Sequence, residues 1–182
     1  MRKADAVAAN LLMFRKMQLE KLNHFQKFNL ETTFQIDSSE LETKYLKLQQ
    51  QFHPDTAQDK TEAEINSILI NQAYQILKNP IKRAIYLLQL QGINIDAEDC
   101  IIKPSQENLI LVMELREEIL DNQNNPAAIA SIKQKIKKII ADEMAQVLEL
   151  LVKMQYQIAA QKLIKVKYLD KIVSDLKNLT QK

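Results

Sequence analysis

His53, Pro54 and Asp55 stand in a row inside the polar stretch QQFHPDTAQDK. An imidazole and a carboxylate this close are raw material for general acid–base catalysis, and a histidine beside acids is the beginning of a metal site. Neither chemistry finds the company it needs. The chain has two histidines, His24 and His53, with no histidine four residues from either, and its single cysteine, Cys100, cannot supply a C-x-x-C pair. No G-x-S-x-G frames a nucleophile. With Pro54 between them, His53 and Asp55 lie in a polar segment that offers none of the burial that shifts catalytic pKa values. These residues predict no enzyme, no metal and no cofactor. The tripeptide reads as a surface presented to another molecule.

Composition narrows the elements that could present it. Among 182 residues Gly92 is the only glycine, which disfavours tight hairpins, dinucleotide-binding turns and phosphate loops. Leu, Ile, Lys, Gln, Glu and Ala dominate, and they favour helix, so the fold class is all-α. The net charge of +2, from 25 basic and 23 acidic residues, is no footprint for nucleic acid. The basic run KQKIKK at 133–138 is expected to be a solvated helix face balanced by Glu143 and Glu149. AVAANLLMF near the start is too short for a membrane span, which needs about 20 apolar residues. Residues 1–22 are expected to form an extension, disordered or a frayed helix, without a secretory cleavage site. A lone cysteine fits a reducing compartment, and the lack of a convincing presequence favours bacterial cytoplasm over an organelle.

Four prolines divide the chain, because proline breaks a helix interior but suits its first turn. Ser39 with Glu42 spells a capping box, and Leu41, Tyr45, Leu48 and Phe52 then recur as one apolar stripe. Lys44 and Lys47 lie on an adjacent face. That helix must end near His53, since Pro54 disfavours helical geometry in the residue before it. After the polar loop, a second helix from about Thr61 to Leu77 carries Ile65, Leu69, Ala73 and Ile76 on one face, completing a helical hairpin. Asn79-Pro80 caps a third helix, with Ile81, Ala84, Ile85 and Leu88 inward and Gly92 as its stop. Residues 93–105 lose periodicity and read as a linker. Ser105 caps a helix over 106–121, Asn125-Pro126 opens another over 126 to about 153, and a third spans 156–181. The last two have neither glycine nor proline between them, so a single long helix stays open. On 106–121 the apolar residues exceed one stripe: Leu109, Val112, Leu115, Ile119 and Leu120 offer inward positions. Leu109, Ile110 and Met113 could therefore be bundle core or a partner surface.

Helix, HPD loop, helix resembles the J-domain of co-chaperones that serve DnaK-type heat-shock ATPases. INQAYQILKNPIKRAIYLLQLQG, from Ile70 to Gly92, resembles the HscB-type J-proteins of iron–sulfur cluster assembly. LVMELREEIL, from Leu111 to Leu120, and KYLDKI, from Lys167 to Ile172, resemble that family's C-terminal domain. The resemblance implies a J-domain over 23–92 and a three-helix bundle over 106–182. It implies that His53, Pro54 and Asp55, with Lys44 and Lys47, dock on an HscA-like ATPase and stimulate ATP hydrolysis. It further implies that Leu109, Ile110, Met113 and Tyr168, with Glu114, Glu117 and Asp121 nearby, bind an IscU-like iron–sulfur scaffold protein. Thr56 departs from the basic residue common after the tripeptide, and the cysteine-pair module of some relatives is missing. A J-domain adaptor for another client would keep the tripeptide without the apolar and acidic bundle surface.

Overall fold

Helix caps set most of the boundaries. The computed structural model describes residues 19–53, 59–98 and 100–179, with side chains through Leu176. Its helices are α1 (His24–Lys27), α2 (Ser38–Gln51), α3 (Lys60–Lys78), α4 (Pro80–Leu90), α5 (Gln106–Asp121), α6 (Pro126–Val152) and α7 (Tyr156–Leu179). The chain divides into two compact units, Met1–Arg83 and Ala84–Lys182. The expected N-terminal extension lies outside the described residues up to position 18, and Leu19, just beyond, is buried.

In the first unit α1 and α2 both pack on α3. Asn23 and Gln26 form a reciprocal capping box at α1. The expected Ser39–Glu42 box at α2 is replaced by Asp37, whose carboxylate accepts the backbone N–H of Ser39 at 2.8 Å and of Glu40 at 3.3 Å. In D-S-S every residue is a competent cap, and the charged acceptor gains most from the positive end of the helix dipole. The α2 stripe holds: Leu41 and Phe52 are buried, with Tyr45 and Leu48 partly so. On α3 the stripe is rotated from the expected one. Ala63, Asn66, Ile70, Ala73, Tyr74 and Leu77 are buried, whereas Ile65 and Ile68 face solvent. Two candidate stripes share Ala73, and the small Ala63 and polar Asn66 disguise the one that packs.

Asn79 accepts the N–H groups of Ile81 and Lys82, with Pro80 in the first position of α4, as expected. Arg83 is buried, donates from Nη1 to the Leu77 carbonyl oxygen at 2.6 Å, and lies 4.9 Å from the centre of the Phe34 ring. A cation on a carbonyl of the last turn of α3 satisfies a group that the helix leaves open and suits the negative dipole end.

His24 gives this unit a pH dependence. Burial, reinforced by the nearby Lys27 charge, pushes its imidazole down to about 4, so it folds neutral. The unfolded chain then binds more protons than the folded one between the ordinary histidine value, roughly 6.5, and about 4, so stability falls as pH falls through that window. Melting curves of the wild type and His24→Asn across pH 7 to 4 check this: the wild type should lose more stability than the variant on acidification. Parallel curves would contradict it.

In the second unit α5 packs on α6 and α7, which make the most extensive helix pair. Val112, Leu115, Ile132, Ile136, Leu169, Ile172, Val173 and Leu176 form one buried cluster. The break between α6 and α7, left open by sequence, is real. Met154 takes φ 55°, Gln155 N–H reaches the Leu150 carbonyl and Met154 N–H the Leu151 carbonyl. This double closure is a Schellman motif with methionine where glycine usually sits. Gly92 and Asn29 close α4 and α1 by the same pair of bonds.

Glu143 does not balance the KQKIKK run. It is buried and accepts from Lys162 at 3.0 Å and Lys165 at 2.7 Å on α7, tying α6 to α7. Burial pushes its carboxyl up, but the hydrogen bonds and charges of the two lysines outweigh that and hold it below the usual carboxylate range. Lys135 of the basic run pairs instead with Glu118 of α5 at 2.9 Å.

Candidate docking surfaces

The α2–α3 hairpin is clamped by side chains that cross between the helices. Tyr45 and Gln49 of α2 both donate to Asn71 Oδ1 of α3 at 3.0 Å. The rings of Tyr45 and Tyr74 stack 3.9 Å apart. Tyr74 donates to Glu42 and accepts from Lys78 at 2.9 Å, which pushes the Lys78 ammonium up. These bonds fix the register of α2 against α3 as far as the last turn before His53. His53 follows α2 and is exposed. Pro54 and Asp55 lie outside the described residues.

The two lysines assigned with the tripeptide have different surroundings. Lys44 Nζ lies 2.7 Å from Glu40 Oε1 and donates at 2.8 Å to the Asn29 carbonyl oxygen at the end of α1. Lys47 is exposed on another side of α2. A charge already engaged by a carboxylate has less to offer an incoming partner than one facing water, so Lys47 is the better placed of the two for steering.

On α5, helical spacing sends Val112 and Leu115 into the cluster and leaves Leu109, Ile110 and Met113 outside, with Met113 62% exposed. Tyr168 of α7 is exposed as well. Glu114, Glu117 and Asp121 are exposed on α5. Sequence reasoning missed Leu120, expected inward but 63% exposed. Together with Arg116, Ile119, Ile172, Asp175 and Leu176 it lines an open groove of about 270 Å³. Its position three residues after Glu117 and seven after Met113 was the available signal, since that spacing continues the outward row.

Among the described residues no group of His, Cys, Asp and Glu is arranged to hold a metal ion, and no helix is long and apolar enough to cross a membrane. The family model of the DnaJ domain matches residues 23–86, and that of the HSCB C-terminal oligomerisation domain matches residues 105–177. A co-chaperone protein HscB homolog of Vibrio vulnificus (strain YJ016) is 32% identical over 171 residues, covering 88% of this chain and 98% of its own. The chain belongs to the HscB co-chaperone family. Among solved HscB structures, the chaperone HscB from Vibrio cholerae superposes with a TM-score of 0.75 at 31% identity, covering 88% of this chain and 98% of its own. Human co-chaperone HscB gives 0.77 at 28% identity, covering 86% of this chain and 81% of its own. The Jac1 co-chaperone from Saccharomyces cerevisiae gives 0.70 at 26% identity, covering 85% and 90%. An HscB chain with a DnaJ domain serves a DnaK-type chaperone in iron–sulfur protein maturation.

Proposed function

We propose that this chain couples an HscA-like ATPase to an IscU-like iron–sulfur scaffold protein, each bound by a different unit and neither altered covalently by the chain itself. Residues 23–92 act as the J-domain. His53, Pro54 and Asp55 engage the ATPase, Lys47 steers the encounter and Lys44 adds charge beside it. An aspartate at the tip suits an arginine on the partner, because a charge-assisted pair is strong once water is excluded. Residues 106–182 bind the scaffold through Leu109, Ile110, Met113 and Tyr168, with Glu114, Glu117 and Asp121 as the polar rim. The chain needs no cofactor for this, and it works in the bacterial cytoplasm.

The observation that carries the reading is the outward face of α5. Val112 and Leu115 already fill the bundle on that helix, so Leu109, Ile110 and Met113 are apolar surface beyond what the unit's own packing uses. Apolar anchors inside an acidic rim have the make-up of a protein-binding hot spot. Capture from the native lysate on immobilised full-length chain tests it: the scaffold should be recovered as a direct partner. Recovery of a different client without the scaffold would contradict the reading.

A further inference from the structure

The three most exposed large apolar side chains among the described residues, Ile101 at 92%, Val152 at 74% and Met154 at 72%, gather at one end of the second unit. Val152 ends α6, Met154 makes the turn, and Ile158, also exposed, follows in the first turn of α7. Ile101 joins them because it lines one cavity with Gln157. The packing of α5 explains the exposure. Its Val112 and Leu115 meet Ile132 and Ile136 in the first half of α6, and Leu169, Ile172, Val173 and Leu176 in the second half of α7. The turn that joins the other two halves is left facing water. Charges of both signs stand beside it. Glu149 and Lys153 are exposed on the α6 face that carries Val152, with their charged groups 3.8 Å apart. Lys103, exposed two residues beyond Ile101, adds a positive charge at the edge.

We propose that two copies of the chain pair through this end about a two-fold axis. Val152, Met154, Ile158 and Ile101 form the centre, and Glu149 of each copy faces Lys153 of the other. The charges point to a second copy as the occupant. A two-fold contact sets one patch against itself, so that patch must be self-complementary. Glu149 lies one turn before Val152 and Lys153 directly after it, so a half-turn of the second copy puts each acid opposite a base. A face built for an acidic or a basic partner would carry a single sign. Within one copy the two side chains form only an exposed, long ion pair, which costs little to exchange. An apolar centre inside a polar rim has the make-up of an interface. Four apolar side chains from each copy put it at the low end in size, below about 1,200 Å² in total, so the pairing is weak and reversible. It uses none of the residues assigned to the ATPase or the scaffold.

The test is sedimentation velocity of the full-length chain over rising concentration, with a melting curve for each variant. The wild type should pass from monomer to dimer. Met154→Asn should raise the midpoint concentration about tenfold and keep the melting temperature, since asparagine tolerates the left-handed backbone that Met154 adopts. Glu149→Lys and Lys153→Glu should each weaken pairing as well, by setting like charges against each other across the axis. An equimolar mixture of these two variants should pair as the wild type does, because every charge again meets its opposite. A wild type that stays monomeric throughout overturns the proposal, as does pairing that Met154→Asn leaves untouched. A mixture that fails to recover after each single variant has weakened overturns it too, because the contact then lacks the two-fold. Loss of scaffold binding by Met154→Asn in a chain that never pairs would give the face to the scaffold instead.

Discussion

His53→Gln should bring stimulation of the partner's ATPase down to the basal rate while helix content, melting temperature and scaffold binding stay at wild-type values. The separation follows from where the residue sits. His53 lies past the end of α2 and is exposed, while the adjoining Phe52 is buried in the core. An exposed substitution away from core and caps costs within about 0.5 kcal/mol. Glutamine keeps a polar side chain of similar size but removes the planar imidazole with its two ring nitrogens. The loss must therefore appear in the partner's turnover, and circular dichroism with single-turnover ATP hydrolysis reads both sides. Normal stimulation by the folded variant would contradict a docking role for the tip.

The second large effect is on the other unit. Replacing Leu109, Met113 and Tyr168 together by alanine should weaken scaffold binding by about 3 kcal/mol, more than a hundredfold in Kd. All three face solvent, so the bundle should lose little stability, in contrast to truncation of a buried residue such as Ile136, where about 2–5 kcal/mol is at stake. Calorimetric titration with the scaffold and thermal melting of the variant distinguish the cases. Wild-type affinity would remove the three residues from the interface. A collapsed melting transition would return them to the core.

Helix existence and most boundaries were legible because the relevant signals are local. Asn79-Pro80, Ser105, Asn125-Pro126 and Gly92 all cap or stop helices as their residue types suggest. The misses arose where competing residues carry the same signal. Asp37 displaced Ser39 because adjacent residues could all cap α2. The buried stripe of α3 was misplaced because only tertiary packing decides which apolar row faces inward, and Asn66 gave no apolar mark to the right one. The break at Met154 falls where the two helices were expected to part, but sequence could not decide it against one long helix because a methionine in the left-handed region has no composition signature.

The docking surfaces divide in the same way. Exposure of Met113 was arguable from the surplus of apolar residues on α5, but the choice between core and surface needed the positions of α6 and α7. Leu120 went to the wrong side for that reason. The engagement of Lys44 with Glu40 and the Asn29 carbonyl oxygen could not be read at all, since Asn29 stands fifteen residues away. The HPD tripeptide was the opposite case: its significance came from resemblance rather than from local helix or cap signals.

The coupling of the two partners is tested most directly by retaining a labelled scaffold on an immobilised HscA-like ATPase in the presence of ATP. The full-length chain should increase retention. His53→Gln and the Leu109, Met113 and Tyr168 triple variant should each fail to do so, the first through the ATPase and the second through the scaffold. Equal retention without the chain, or with either variant, would contradict a chain that joins them.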